Sequence, residues 1–89
     1  MTPEQLRNAA NKAQADFLFA DAEIALTFLD LADSTKSEED RQRRFKEARK
    51  AYDAILEKLP TVSLTNSQTE LMNRQLALLK ARLHLGSLH

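Results

Sequence analysis

Apolar side chains fall almost all the way round the segment over residues 17–32, which reads FLFADAEIALTFLDLA. A helix with this distribution must be covered on more than one side. The run is shorter than the roughly 20 residues that a bilayer core requires, and Asp21, Glu23 and Asp30 interrupt it. The pattern therefore predicts a helix inside a packed bundle, with surplus apolar surface for a partner, and excludes a membrane span.

The first helix is predicted over residues 3–32. Thr2 and Gln5 form a capping box, and Pro3 occupies the first helical position, where no N–H is missed. Apolar residues then recur at steps of three and four residues, which is typical of a helix face turned to a core. The predicted core stripe consists of Leu6, Ala10, Ala13, Phe17, Ala20, Ile24, Phe28 and Leu31.

The second helix is predicted over residues 38–59. Ser37 with Asp40 resembles a second capping box, and Pro60 bars the preceding residue from helical geometry. The residues at core spacing are Phe45, Ala48, Tyr52, Ile55 and Leu59.

The third helix is predicted over residues 66–85, and two caps are open to it. Either Thr65 with Gln68 or Ser67 with Glu70 could begin the helix. Gly86 stands where a left-handed cap would end it. Short connections between three such helices predict a single all-α domain over residues 1–89, an antiparallel up-down-up bundle.

Composition agrees with a small helical protein. One Gly and two Pro among 89 residues are too few for the many corners of a β-sheet fold. The chain has no Cys, so neither a disulfide framework nor a thiolate metal site is available. No basic leader or small-residue cleavage site accompanies the apolar run, so a signal peptide is not predicted. We expect a reducing, cytoplasmic location.

The second helix resembles a known repeat family. Ala48, Tyr52 and Pro60 match the small residue, the aromatic and the exit proline of the second helix of a tetratricopeptide repeat. Ile55 stands where that family has a small residue, and the connection before this helix is longer than the family's turn. The segment is also similar to the second helix of microtubule-interacting-and-trafficking domains, which are three-helix bundles. Both resemblances imply a protein or peptide partner and no catalysis.

A set of apolar residues on the first helix lies beside or opposite the predicted core stripe. If the other helices cover only that stripe, this set forms an exposed patch for self-association or for a protein partner. If the first helix is central, the same residues belong to the core, and both interpretations stay open. The set consists of Leu18, Phe19, Ala22, Leu26 and Leu29.

Charge is balanced overall but not along the chain. Residues 1–33 carry two basic and six acidic side chains, whereas residues 61–89 carry three basic and one acidic. Asp16, Glu23 and Asp30 follow one another at seven-residue spacing and form an acidic line. Arg44 is the best-placed partner for Glu23, and we expect such pairs to set helix orientation more than stability.

The second helix carries a basic cluster in which Arg41, Arg43 and Arg44 are candidate phosphate contacts. Glu38, Glu39, Asp40 and Glu47 are interleaved with this cluster, and Asp40 stands four residues before Arg44, the spacing of a stabilising helix pair. No glycine-rich loop or aromatic platform accompanies the cluster. Nucleic-acid binding is therefore the lesser alternative to protein binding.

Nothing in the sequence predicts catalysis, a cofactor or a small-molecule substrate. His84 and His89 have no nearby carboxylate with which to hold a metal. Asp30 with Asp33 reads as a polar helix end, not as a catalytic pair. We therefore expect a non-catalytic interaction module, self-associating through the first helix or binding another protein. A subunit of a larger helical-repeat assembly is a further alternative.

Overall fold

The computed structural model describes residues 1–87, and in this range the chain forms three α-helices and no strand. Helix α1 spans Pro3–Ser34, α2 spans Glu38–Lys58, a 3₁₀ turn covers Leu59–Thr61, and α3 spans Asn66–Ser87. The all-α class predicted from the sequence is confirmed. Within these residues, none of the helices combines the length and the apolar character that a membrane span requires.

Local side-chain bonds fix where each helix begins. At α1, Thr2 Oγ1 accepts from the Gln5 amide at 3.1 Å and Gln5 Oε1 accepts from the Thr2 amide at 3.0 Å, so the predicted capping box is confirmed. At α2, Ser37 Oγ accepts from the Asp40 amide at 3.2 Å. Pairs of bonds of this kind satisfy amide groups that have no partner inside the helix.

The hydrogen bonds at the start of α3 show which of the two predicted capping pairs begins the helix. Thr65 Oγ1 accepts from the Gln68 amide at 3.1 Å, and Gln68 Oε1 accepts from the Thr65 amide at 2.9 Å. The capping box is therefore Thr65 with Gln68. The predicted end of α3 is wrong, because the helix continues through Gly86 to Ser87.

The helices pack lengthwise into a body measuring 53 × 21 × 18 Å. A connection of only three residues, 35–37, joins α1 to α2, and these two helices make the most extensive contact. Near this connection, the Arg44 guanidinium lies 5.8 Å from the centroid of the Phe28 ring. Helix α3 returns along both, and Arg82 near its end reaches Asp30 and Asp33 near the end of α1.

The core combines small side chains from the α1–α2 contact with larger ones from α3. Ala22, Ala25 and Ala48 are fully buried, which lets the backbones of α1 and α2 approach closely. The predicted α2 core is confirmed, since Ala48 and Ile55 are buried and Phe45, Tyr52 and Leu59 pack against them. The buried cluster consists of Leu18, Ala22, Ala25, Leu29, Ala48, Ile55, Met72, Leu76, Leu79 and Leu83.

The predicted core face of α1 is wrong. Phe28 packs against the core, but Leu6, Phe17, Ile24 and Leu31 are exposed. The side that faces α2 and α3 is the alanine-rich one, because alanines permit closer helix packing than a row of large side chains does. The buried α1 residues are Ala15, Leu18, Ala22, Ala25, Leu29 and Ala32.

The amino-terminal part of α1 is little buried, although Asn8, Asn11 and Lys12 border a cavity shared with the start of α3. Ala15 is the first buried residue of the chain, and among residues 1–14 only Asn11 is even partly buried. Residues 3–14 alone amount to about 18 Å of helix. This segment is held by its capping box and by its own backbone hydrogen bonds more than by packing.

Candidate protein interface

The exposed side of α1 carries an apolar stripe with a strict repeat, here called the outer stripe. Its positions alternate steps of four and three residues, an average period of 3.5, which is the repeat of helices that pack against another helix. Four large members are exposed: Phe17 at 71%, Leu6 at 62%, Ile24 at 49% and Leu31 at 41%. The outer stripe consists of Leu6, Ala10, Ala13, Phe17, Ala20, Ile24, Thr27 and Leu31.

The outer stripe lies opposite the buried side of α1. Buried Leu18 and Ala22 each lie two residues from outer-stripe members Ala20 and Ile24, and two residues correspond to about 200° around a helix. The buried side has the same 3.5-residue period as the outer stripe. Helix α1 therefore has two apolar faces, of which α2 and α3 cover one.

From Ala13 onward, large and small residues follow separate lines along the outer stripe. Phe17, Ile24 and Leu31 form a ridge at seven-residue spacing, and Ala13 and Ala20 lie in the neighbouring line. Thr27 continues this line, with its hydroxyl donating to the Glu23 carbonyl oxygen at 2.9 Å, so it adds no unsatisfied donor to the surface. Beside the ridge, a groove of about 340 Å³ is lined by Gln14, Phe17, Leu18, Lys58, Thr61 and Val62.

Acidic side chains border the outer stripe. Asp16, Glu23 and Asp30 directly precede the three ridge residues and form one edge, and Asp21 lies on the other edge. Within residues 1–87, Asp30 pairs with Arg82 at 2.9 Å, whereas Asp16, Asp21 and Glu23 form no ion pair. One edge of the stripe is thus acidic, whereas the other edge combines Asp21 with Lys58, which lines the groove beside Phe17.

The residues predicted from the sequence as an exposed patch are not exposed as a patch. Leu18, Ala22 and Leu29 are buried, and Phe19 and Leu26 are partly buried and pack against the same core. The prediction of an interface at these five positions is wrong because α2 and α3 cover this side of α1. The surplus apolar surface that motivated the prediction exists on the opposite side of the same helix.

The missed residues carried a signal in the sequence. Each large residue of the ridge follows an acidic residue, as in Asp16-Phe17, Glu23-Ile24 and Asp30-Leu31. An acidic line at the border of a stripe indicates a solvated edge, because burying carboxylates without partners is costly.

The candidate phosphate contacts on α2 are engaged within the chain. Arg41 lies 3.8 Å from Glu38 and 5.8 Å above the Phe45 ring, and Arg43 is hydrogen-bonded to Asp40. Arg44 contacts Asp40 at 3.8 Å and the Phe28 ring, in place of the predicted Glu23.

The ionic contacts at the start of α2 change the titration of Asp40. A hydrogen bond from the Thr35 side chain and the guanidinium groups of Arg43 and Arg44 lower the pKa of the Asp40 carboxyl below its ordinary value, outweighing the opposing desolvation. Asp40 also stands in the first turn of α2, where a negative charge is favoured by the helix dipole. The ionic cluster therefore has a structural role at this helix start.

The remaining titratable groups do not assemble a metal-binding centre in the part of the chain that the structure describes. Among residues 1–87, no group of three or more His, Cys, Asp or Glu side chains could hold a metal ion. Asp30 and Asp33 both bind Arg82. His84 is exposed near the end of α3, and His89 lies outside the described residues.

A second, shorter row of exposed leucines lies on α3. Leu71, Leu78 and Leu85 are separated by seven residues and are exposed, and Arg74 stands between the first two. On α2 the exposed large apolar residue is Leu56. Comparison of the chain with protein-family models, with curated proteins and with solved structures finds no match.

Proposed function

We propose that this protein is a non-catalytic helical interaction module and that the outer stripe of α1 is its protein-binding surface. The observation that carries the proposal is the exposure of Phe17, Ile24 and Leu31 in strict seven-residue spacing. Single exposed apolar residues are ordinary on protein surfaces, but a long contiguous patch marks an interaction site. The 3.5-residue period of the outer stripe indicates that the partner segment is itself a helix.

The size of the surface agrees with this role. The outer stripe runs over the 26 residues from Leu6 to Leu31, about 39 Å of helix, and a stripe about 10 Å wide along it covers about 390 Å². That area lies within the roughly 300–600 Å² of the largest apolar patches on monomers, which are often functional. It belongs at the low end of protein interfaces, where transient signalling contacts are found.

The proposed role agrees with the resemblance of α2 to helices of peptide-binding and protein-binding repeat families. Fold-level likeness does not carry a specific partner, so the resemblance supports only the general class. The alternative of nucleic-acid binding loses support from the intramolecular contacts of Arg41, Arg43 and Arg44. A surface for phosphates needs guanidinium groups that remain available to the ligand.

A site-specific photo-crosslink tests the proposed surface. The photoreactive residue p-benzoylphenylalanine replaces Phe17 in one version of the protein and Leu56, an exposed apolar residue on α2, in the control version. Both are irradiated in the cells that produce the protein, and the adducts are mapped to peptides by mass spectrometry. We expect the Phe17 position to give adducts that map to one helical segment.

A second substitution shows whether the adducts depend on the outer stripe. Ile24→Glu, introduced beside the crosslinker at position 17, is expected to remove these adducts while leaving the helical circular dichroism unchanged, because Ile24 is exposed. The proposal is overturned if position 17 yields no more adducts than position 56, or if Ile24→Glu leaves the pattern unchanged. An adduct with a second copy of the chain and an adduct with another protein would each support the outer stripe as a protein-binding surface.

A further inference from the structure

We infer that the occupant of the outer stripe is a basic amphipathic helix of another protein, with Lys or Arg along the edge that faces Asp16 and Glu23. This inference rests on the proposed function and adds the chemistry of the partner.

The surface shape of the outer stripe is suited to the binding of a single helix. The ridge of Phe17, Ile24 and Leu31 runs beside a line of small residues that includes Ala13 and Ala20. A partner helix with a 3.5-residue period can place its large side chains over the small line and its small ones against the ridge. Helix-in-groove recognition of this kind reads apolar anchors at heptad-like spacing.

The border of the outer stripe selects the charge of that helix. Positions that flank a helix-packing stripe face the flanking positions of the partner, so Asp16, Asp21 and Glu23 would each lie near a partner side chain. These three carboxylates form no ion pair within residues 1–87. Lys or Arg opposite them is attractive, whereas Asp or Glu there is strongly unfavourable.

The same border disfavours a second copy of α1 as occupant. In an antiparallel pair of identical helices each edge faces itself, which places the line of Asp16, Glu23 and Asp30 against its own copy. In a parallel pair this edge faces the opposite edge, which places Asp16 against Asp21. Both arrangements bring like charges together and are destabilised by that repulsion.

Helix α3 of a second copy is the other candidate, and its charges do not match the border. Its exposed row of Leu71, Leu78 and Leu85 includes Arg74. However, the residues that directly precede Leu71 and Leu78 are Glu70 and Ala77, so this edge of the row offers no Lys or Arg to the acidic line. We therefore assign the surface to a foreign helix and treat self-association as an outcome of the test.

Two synthetic helical peptides test the charge of the partner. Both are about 28 residues long, four heptads, with the same apolar stripe, and they carry either Lys or Glu at all flanking positions. Like charges along each peptide oppose its own dimerisation. Fluorescein-labelled peptide is titrated with the full chain and binding is followed by fluorescence anisotropy. We expect the Lys peptide to bind at least about tenfold more tightly than the Glu peptide.

Exchange of the border charges gives the sharper readout. The double variant Asp16→Lys with Glu23→Lys is expected to weaken the binding of the Lys peptide and to strengthen the binding of the Glu peptide. The preference for the Lys peptide should therefore invert. Glu57→Lys, at an exposed acidic position on α2, is the matched control and should leave the preference unchanged. Phe17→Glu with Ile24→Glu should remove the binding of both peptides, and Leu56→Glu should not.

The outcomes separate this inference from the proposed function. If the two peptides bind equally and the Phe17→Glu, Ile24→Glu variant loses both, the inference of a basic partner is overturned. The outer stripe then remains the binding surface. Binding that is indifferent to Phe17 and Ile24 overturns both, and failure of the Lys peptide to bind overturns the basic helix. Sedimentation equilibrium of the chain alone completes the test, because an oligomer abolished by Ile24→Glu would assign the surface to a second copy.

Discussion

Arg82 and Asp33 form an ion pair between positions 49 residues apart, with Arg82 Nη2 lying 3.0 Å from Asp33 Oδ2. The same nitrogen lies 2.9 Å from Asp30 Oδ1, so one guanidinium of α3 binds two carboxylates of α1. The last turn of α1 contains no basic residue of its own. Arg82 therefore supplies from another helix the positive charge that the carboxyl end of a helix favours.

Removal of this contact should cost little stability, since both carboxylates are mostly exposed. Arg82→Ala is expected to lower the free energy of unfolding by about 0.5–1 kcal/mol, as exposed ion pairs do. Lys80→Ala, at an exposed position of the same helix, serves as the control and should have less effect. Urea denaturation followed by circular dichroism measures both. Equal losses in the two variants would show that the ion pair contributes nothing beyond helix propensity.

Truncation of the neighbouring residues Leu18 and Phe17 on α1 should lower the free energy of unfolding by different amounts. Leu18→Ala removes a buried side chain and is expected to cost about 2–5 kcal/mol, or to abolish cooperative unfolding. Phe17→Ala removes an exposed side chain and should change stability by less than about 0.5 kcal/mol. Urea midpoints of the two variants decide which side of α1 faces the core. A larger loss for Phe17→Ala would contradict the assignment.

The two caps considered for α3 also differ in their expected effects. Thr65→Ala removes the hydroxyl that accepts from the Gln68 amide and should cost about 0.5–2 kcal/mol. Ser67→Ala lies inside the first turn, where its hydroxyl is not the cap, and should be close to neutral. Thermal unfolding of the two variants, compared with the unsubstituted protein, gives the ranking. The assignment fails if Ser67→Ala is the more damaging change.

The lowered pKa of Asp40 predicts a contribution to stability that depends on pH. Because the folded pKa lies below the ordinary value of 3.8, the ionised carboxyl stabilises the fold above that pH, and the contribution is lost as the pH falls through the folded pKa. The difference in unfolding free energy between the protein and Asp40→Asn should stay constant from pH 7 to about pH 5 and shrink below about pH 4. A difference that persists to pH 2 would contradict the prediction.

Local signals in the sequence predicted the elements well because their causes are local. The Thr2 capping box depends on residues three positions apart, and it forms as predicted. The effect predicted for Pro60 on the residue before it is wrong, because Leu59 keeps helical dihedral angles (φ −52°, ψ −43°) and α2 passes into a 3₁₀ turn that contains Pro60. Ala48 and Ile55 were recognised as core because α2 has a single apolar face.

The inward side of α1 could not be predicted in the same way. Two opposite stripes share one period, so periodicity supports either as the core, and the larger side chains of Phe17 and Ile24 made the wrong stripe the stronger candidate. The choice depends on how closely another helix can approach, and Ala22 and Ala25 allow a closer approach to Ala48. This close packing depends on both helices, so the sequence of α1 alone does not determine which of its sides faces the core.

The sparse burial of residues 3–14 of α1 has a consequence for proteolysis. Helical segments of about 12 residues are marginal in water without packing, so this segment should open locally at a small fraction of the global unfolding free energy. Arg7 and Lys12 both lie in it, so brief digestion with trypsin should cut there first and leave α2 and α3 intact. The cut fragment would keep the ridge of Phe17, Ile24 and Leu31 and lose Leu6, and its residual affinity for a partner would divide the surface into an essential and a dispensable part.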